Sequence, residues 1–148
     1  MDHQQRQGFH ADAVSTRTPE AGRSPTARQL GAVFLGGMLG GGARIGVALA
    51  LPHDAGIPWA TLLVNVLGAL VLGFVGTRLA ASAPPTSLAV PLLCTGFLGS
   101  FTTFSTFSQE TWELASVAAD PVTATGYVVG SLVLGVLAAR AGMVVARR

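Results

Sequence analysis

The sequence predicts an all-α membrane protein of four transmembrane helices, the third broken mid-membrane. Half of the 148 residues are hydrophobic and only 11% are charged, giving a mean hydropathy of +0.56. A small soluble domain has no surface that could accommodate that balance. Four apolar segments, roughly 29–51, 59–77, 88–119 and 122–146, are each long enough to cross a hydrocarbon core of about 30 Å, which takes about 20 helical residues. The third contains "GFLGSFTTFSTFSQE", Gly96 to Glu110, where six hydroxyl residues and a carboxylate fall inside the bilayer.

Residues 1–27 carry Asp2, Arg6, Asp12, Arg17, Glu20 and Arg23 among Gln, Ser, Thr and Gly without an apolar period. They read as a disordered tail, with 28–148 as the transmembrane domain. The tail and an internal Arg44 do not suit a cleaved signal peptide. Turn chemistry separates the helices: "LPHDAGIPW", "ASAPPTS" and "ADP". Such short loops make neighbouring helices antiparallel. In the third segment "LAVPLLCTGFL" supplies about half a span before "GSFTT" interrupts it and "FSTFSQETWELASVAA" resumes. Non-helical backbone at membrane depth is tolerated only in protein or beside a cavity, so the interruption reads as a site whose carbonyls and amides can hold ions.

All nine basic residues are Arg, scattered rather than clustered, which excludes a nucleic-acid grip. The single Cys94 rules out an intrachain disulfide. No segment resembles a soluble catalytic domain.

Several residues carry chemistry, each with a plainer structural role beside it. "GGMLGGGARIG" offers the close-packing pairs Gly36/Gly40, Gly37/Gly41 and Gly42/Gly46. Arg44, deep in the first helix, either snorkels or places a cation near an anion's entry. Asn65 either bonds a neighbouring helix or lines a pore as an amide donor. Phe104 and Phe107 share a helical stripe with Thr111, with Glu110 close by and Ser105 and Ser108 on an adjacent polar stripe. Phenylalanines in a membrane serve packing, but their ring edges carry partial positive charge. Phe edges beside hydroxyls suit a small anion that must shed water. Glu110 would repel that anion unless it accepts hydrogen bonds from pore donors. Tyr127 and Ser131, four residues apart, share one face of the fourth helix, and Tyr127 is either an interfacial anchor or pore-lining.

Together "GGMLGGGAR", "TLLVNVLGALVLGF" and "GFLGSFTTFSTFSQE" make the chain resemble the Fluc/CrcB family of fluoride channels from Arg28 to Ala146. The resemblance implies an antiparallel dimer of four-helix subunits with two fluoride pathways and a structural Na+ at its centre. The sodium would be held by the backbone carbonyls of Gly99 and Thr102 from both subunits. Asn65 would match the pore asparagine, Phe104 and Phe107 the aromatic pair that fluoride passes, and Ser105 and Thr106 the hydroxyls beside them. Tyr127 and Ser131 match a fourth-helix polar track, although Gly135 stands where the family often places another serine.

The expectation is a passive fluoride channel, not an enzyme. Fluoride enters cells as its neutral conjugate acid and dissociates in the less acidic cytoplasm, so an anion leak outward lowers it. One rival is a small multidrug-type proton-coupled exporter, which needs an acid in its first helix where this chain has Arg44. Another is a non-transporting assembly subunit, against which the hydroxyl-lined third segment argues. Arg17, Arg23, Arg28, Arg78, Arg140, Arg147 and Arg148 lie on the side of the termini, while "LPHDAGIP" and "AADP" on the other side have no Arg or Lys. That asymmetry predicts cytoplasmic termini in the cell membrane. It also predicts pairing with an oppositely oriented homologue in preference to a dual-topology homodimer.

Overall fold

The computed structural model describes residues 24–52, 56–84 and 86–148. Most of the expected tail therefore lies outside the described residues. The fold is all-helical, with four spans long and apolar enough to cross a membrane: Ala27–Ala50, Trp59–Ser82, Val90–Val117 and Pro121–Ala146. It is a multi-pass membrane protein.

Helix α1 (Ala27–Ala50) begins on a capping box. The Thr26 hydroxyl accepts from the Gln29 amide, and the Gln29 side chain accepts from the Thr26 amide. The helix thus starts inside the stretch assigned to the tail, because Thr26 and Gln29 satisfy its first orphan donors locally. Helix α2 (Trp59–Ser82) runs five residues past the expected Thr77, and the Thr77 hydroxyl folds back onto the Gly73 carbonyl at 2.7 Å.

The third span is composite: a π-helical segment Val90–Leu98, a short α3 (Gly99–Phe101), α4 (Ser105–Trp112) and a π-helical turn Glu113–Val117. Ala119 ends it at φ 51°, and the Asp120 amide reaches back to the Leu114 carbonyl at 3.0 Å. A left-handed residue followed by a return bond is a helix C-terminal motif, here one residue wider than the usual six-to-one bond because it follows a π-helical turn. Asp120 then caps α5 (Pro121–Ala146), accepting from the Thr123 amide at 3.0 Å and hydroxyl at 2.6 Å. Those bonds, the hydroxyl's first, hold the Asp120 carboxyl below its ordinary value.

Two helix pairs organise the packing: α1 against the π-helical start of the third span, and α2 against α5. Glycine lets both pairs approach closely. A Cβ on Gly40 would strike the Phe97 carbonyl, and one on Gly142 would strike the Leu70 carbonyl. Of the expected small-residue pairs, Gly36 and Gly40 meet the third span and Gly37 faces Ser100, whereas a Cβ on Gly41, Gly42 or Gly46 would meet no packed neighbour within 4 Å among the described residues. The run is continuous in sequence, but its helical turn directs only one side at the neighbour.

Few side chains are buried among the described residues; Val64, Leu98, Leu114, Ala124 and Tyr127 are among them. Large apolar side chains on α1 and α5 stay exposed, including Phe34, Met38, Leu49, Val122 and Leu132.

Candidate functional site

The helical backbone lapses from Thr102 to Phe104, although the Thr102 amide still reaches the Leu98 carbonyl at 3.1 Å. Thr102 is extended (φ −79°, ψ 156°) and Phe104 has returned to helical angles (φ −92°, ψ −32°). Asn65 of α2 clasps the residue between them. Its side-chain amide donates to the Thr103 carbonyl at 3.0 Å, and its Oδ1 accepts from the Thr103 amide at 2.8 Å. The Thr103 hydroxyl accepts from the Thr106 amide at 3.2 Å and donates to the Thr106 hydroxyl at 3.1 Å, with the Ser105 hydroxyl 3.2 Å away. From α1, Arg44 Nε donates to the Ser100 carbonyl at 3.2 Å.

These bonds redistribute the main-chain acceptors. In an unbroken helix the Gly99 carbonyl would take the Thr103 amide and the Thr102 carbonyl would take the Thr106 amide. Both amides are diverted to side-chain oxygens, Asn65 Oδ1 and Thr103 Oγ1. The Ser100 and Thr103 carbonyls receive side-chain donors. Gly99, Phe101 and Thr102 are left with carbonyl oxygens that lack helical donors among the described residues, the ligand type that hard cations take. Among the described residues no His, Cys, Asp and Glu cluster could hold a metal ion.

A second cluster lies along α4. Glu110 accepts from the Thr61 hydroxyl at 2.7 Å through one oxygen and from the Tyr127 hydroxyl at 2.9 Å through the other. Each carboxylate oxygen thus accepts from a neighbouring helix, one from α2 and the other from α5. The Phe107 ring lies 5.2 Å from the Tyr127 ring and 6.0 Å from Phe104.

A cavity of about 380 Å³ opens beside the interruption, lined by Asn65, Thr103, Phe104, Phe107, Ser131 and apolar neighbours from α2 and α5. The Ser131 hydroxyl is buried with no hydrogen-bond partner among the described residues. A smaller cavity of about 40 Å³, the size for one water-sized species, lies among Arg44, Thr61, Thr103 and Thr106.

Residues 31–143 match the family described as CrcB-like protein, Camphor Resistance (CrcB). The chain belongs to the CrcB-like family. It is 44% identical over 130 residues to a protein of Mycobacterium bovis named fluoride-specific ion channel FluC 1, covering 82% of this chain and 92% of that one. A fluoride-specific ion channel FluC of Paracoccus denitrificans is 44% identical over 119 residues, covering 78% of this chain and 91% of its own. That of Methanopyrus kandleri is 42% identical over 122 residues, covering 81% and 90% respectively.

The CrcB-like fold gathers Asn65, Phe104, Phe107 and Ser131 around one cavity and Glu110 with Tyr127 beside it. Arg44 and Thr106 line the smaller cavity instead. Phe104 is 80% exposed, and Ser105 is exposed as well. Ser108 and Thr111 return their hydroxyls to the Phe104 and Phe107 carbonyls at 2.9 Å and 2.7 Å, so they serve the helix. The expected start of the interruption shifts: Gly99, Ser100 and Phe101 are helical, and the lapse begins at Thr102. Two participants were not singled out from sequence, Thr61 and Thr103. Thr61 falls one helical turn before Asn65, on the same face, and that spacing was the available signal.

Proposed function

We propose that this CrcB-like chain is one subunit of a passive, fluoride-selective channel that releases cytoplasmic fluoride and so limits its toxicity. The observation that carries the reading is the buried, unpartnered Ser131 hydroxyl lining the cavity between Asn65 and the Phe104–Phe107 pair. A desolvated donor beside aromatic edges suits an anion that must exchange its water shell for protein donors. The names of the relatives, fluoride-specific ion channels, point to the same ion. No bond is made or broken in this function. Asn65 retains one amide hydrogen beyond its clasp on Thr103, Ser131 offers its hydroxyl, and Phe104 and Phe107 offer ring edges.

In this reading the interruption at Thr102–Phe104 lies at membrane depth and the active unit is an antiparallel dimer. The support is the open site: Phe104 projects from the subunit, and the cavity beside it is walled by α2, α4, α5 and the interruption. A second subunit closes it, and lipid tails cover the remaining apolar side chains. A structural Na+ fits the Gly99 and Thr102 carbonyls, which lack helical donors; the ion would supply positive charge at the centre of an otherwise anion-selective assembly. In this reading both termini are cytoplasmic and the partner is an oppositely oriented homologue, and the Arg asymmetry of the sequence is the support.

Efflux from liposomes tests the function, read with a fluoride electrode and with chloride as control. Fluoride leaves without a proton gradient and chloride does not. Equal release of the two anions, or fluoride release that requires a proton gradient, overturns the reading. The purified chain is assayed alone and with a co-purified homologue.

A further inference from the structure

The hydroxyl of Thr103 belongs to neither the aromatic pair nor the carboxylate cluster, yet it accepts the Thr106 amide. Asn65 Oδ1 does the same for the Thr103 amide. Each bond removes from the main chain the donor that a continuous helix would deliver to one particular carbonyl. Thr103 Oγ1 withholds the donor of Thr102, and Asn65 Oδ1 withholds that of Gly99. The carbonyls beside these two, of Ser100 and Thr103, are engaged by Arg44 and by the Asn65 amide. Side chains from two helices and from the interruption itself therefore help decide which main-chain oxygens stay available.

We propose that Thr103, through its hydroxyl, is a positioning residue for a bound alkali cation. It holds the Thr106 amide off the Thr102 carbonyl, while Asn65 does the equivalent for Gly99. The inference rests on the reading that these carbonyls hold sodium. Thr103 does not itself touch the ion. In its absence the Thr106 amide lacks its acceptor, and the extended turn at Thr102 (ψ 156°) loses one of the bonds that keep its carbonyl out of helical register with that amide. Thr103 also lines both cavities. One side chain thereby links the cation cradle to the wall of the anion path, and the ion's occupancy stabilises the backbone that presents Phe104.

The test follows thermal unfolding of the purified full chain by tryptophan fluorescence as NaCl replaces N-methyl-D-glucamine chloride at constant ionic strength. Wild type is stabilised by sodium with a definite midpoint concentration. Thr103→Val, nearly isosteric but without the hydroxyl, raises that midpoint about tenfold, while Thr103→Ser, which keeps it, stays within about twofold of wild type. A merely structural role would lower stability at every sodium concentration without moving the midpoint. Thr103→Ala is measured in parallel, so that misfolding of the valine variant alone does not decide the outcome. A wild-type midpoint in the folded Val or Ala variant, or a Ser variant as impaired as Val, overturns the positioning role and leaves the sodium reading standing. A wild type indifferent to sodium removes both.

Discussion

Ser131→Ala should make the protein more stable and a poorer channel at the same time. In the protomer the Ser131 hydroxyl is buried without a hydrogen-bond partner among the described residues. A desolvated polar group left unsatisfied costs about 1–3 kcal/mol, and deleting the oxygen removes that cost for the loss of one small atom's packing. The variant is therefore expected to gain about 1 kcal/mol or more in chemical unfolding in detergent. Conduction moves the other way. A hydrogen bond to a charged group contributes about 1.5–3 kcal/mol, so withdrawing this donor from a passing anion lowers fluoride flux by roughly 10- to 150-fold. The assay pairs denaturant unfolding with fluoride-electrode efflux from liposomes, and Ser131→Thr, which retains a hydroxyl, serves as partial rescue. Loss of stability with unchanged flux would refute the reasoning, since the hydroxyl would then be bonded within the protein and idle toward the ion.

Phe104→Ile and Phe107→Ile should both cut fluoride flux sharply in the efflux assay, because an aliphatic side chain lacks the polarised ring edge. Their stabilities should diverge: Phe104 is 80% exposed and its replacement costs little, whereas Phe107 packs on Tyr127 at 5.2 Å and loses that contact. Gly142→Ala should destabilise by about 1–3 kcal/mol or more in denaturant unfolding, since its Cβ would press on the Leu70 carbonyl and rigid backbone must move. Gly126→Ala, with nothing within 4 Å, should instead stabilise by about 0.5–1 kcal/mol. Asp120 has its carboxyl held below the ordinary 3.8 by the Thr123 hydroxyl and amide. Its stabilisation is therefore complete above 3.8 and fades as pH falls through the lowered folded value. Asp120→Ala should be less stable than wild type at neutral pH and converge with it in strong acid, checked by unfolding at a series of pH values.

The four spans were readable because their signals are local: apolar runs of sufficient length and Gly, Pro and Asp between them. The capping box at Thr26 was equally local and was overlooked within a polar tail. Where the third span's helix lapses was legible only to within a few residues. Gly99, Ser100 and Phe101 remain helical because nothing there diverts an amide, whereas the Asn65 clasp captures the amide of Thr103. That clasp joins residues 38 apart in sequence, beyond the reach of any local pattern. Asn65, Phe104, Phe107, Glu110, Tyr127 and Ser131 stood out as polar or aromatic side chains in apolar surroundings. Thr103 did not, being one hydroxyl among six in its stretch. Its distinction is the particular amide it accepts, which only the three-dimensional arrangement defines.

The central claim is selective, passive passage of fluoride, and a reversal potential tests it most directly. The protein is fused into a planar bilayer with a tenfold fluoride gradient, equal chloride on both sides and no pH difference. The account predicts current that reverses at about 59 mV, the value for a monovalent ion at tenfold gradient, and that stays there when a pH gradient is added. Reversal near zero, or a reversal that follows the proton gradient, would contradict it.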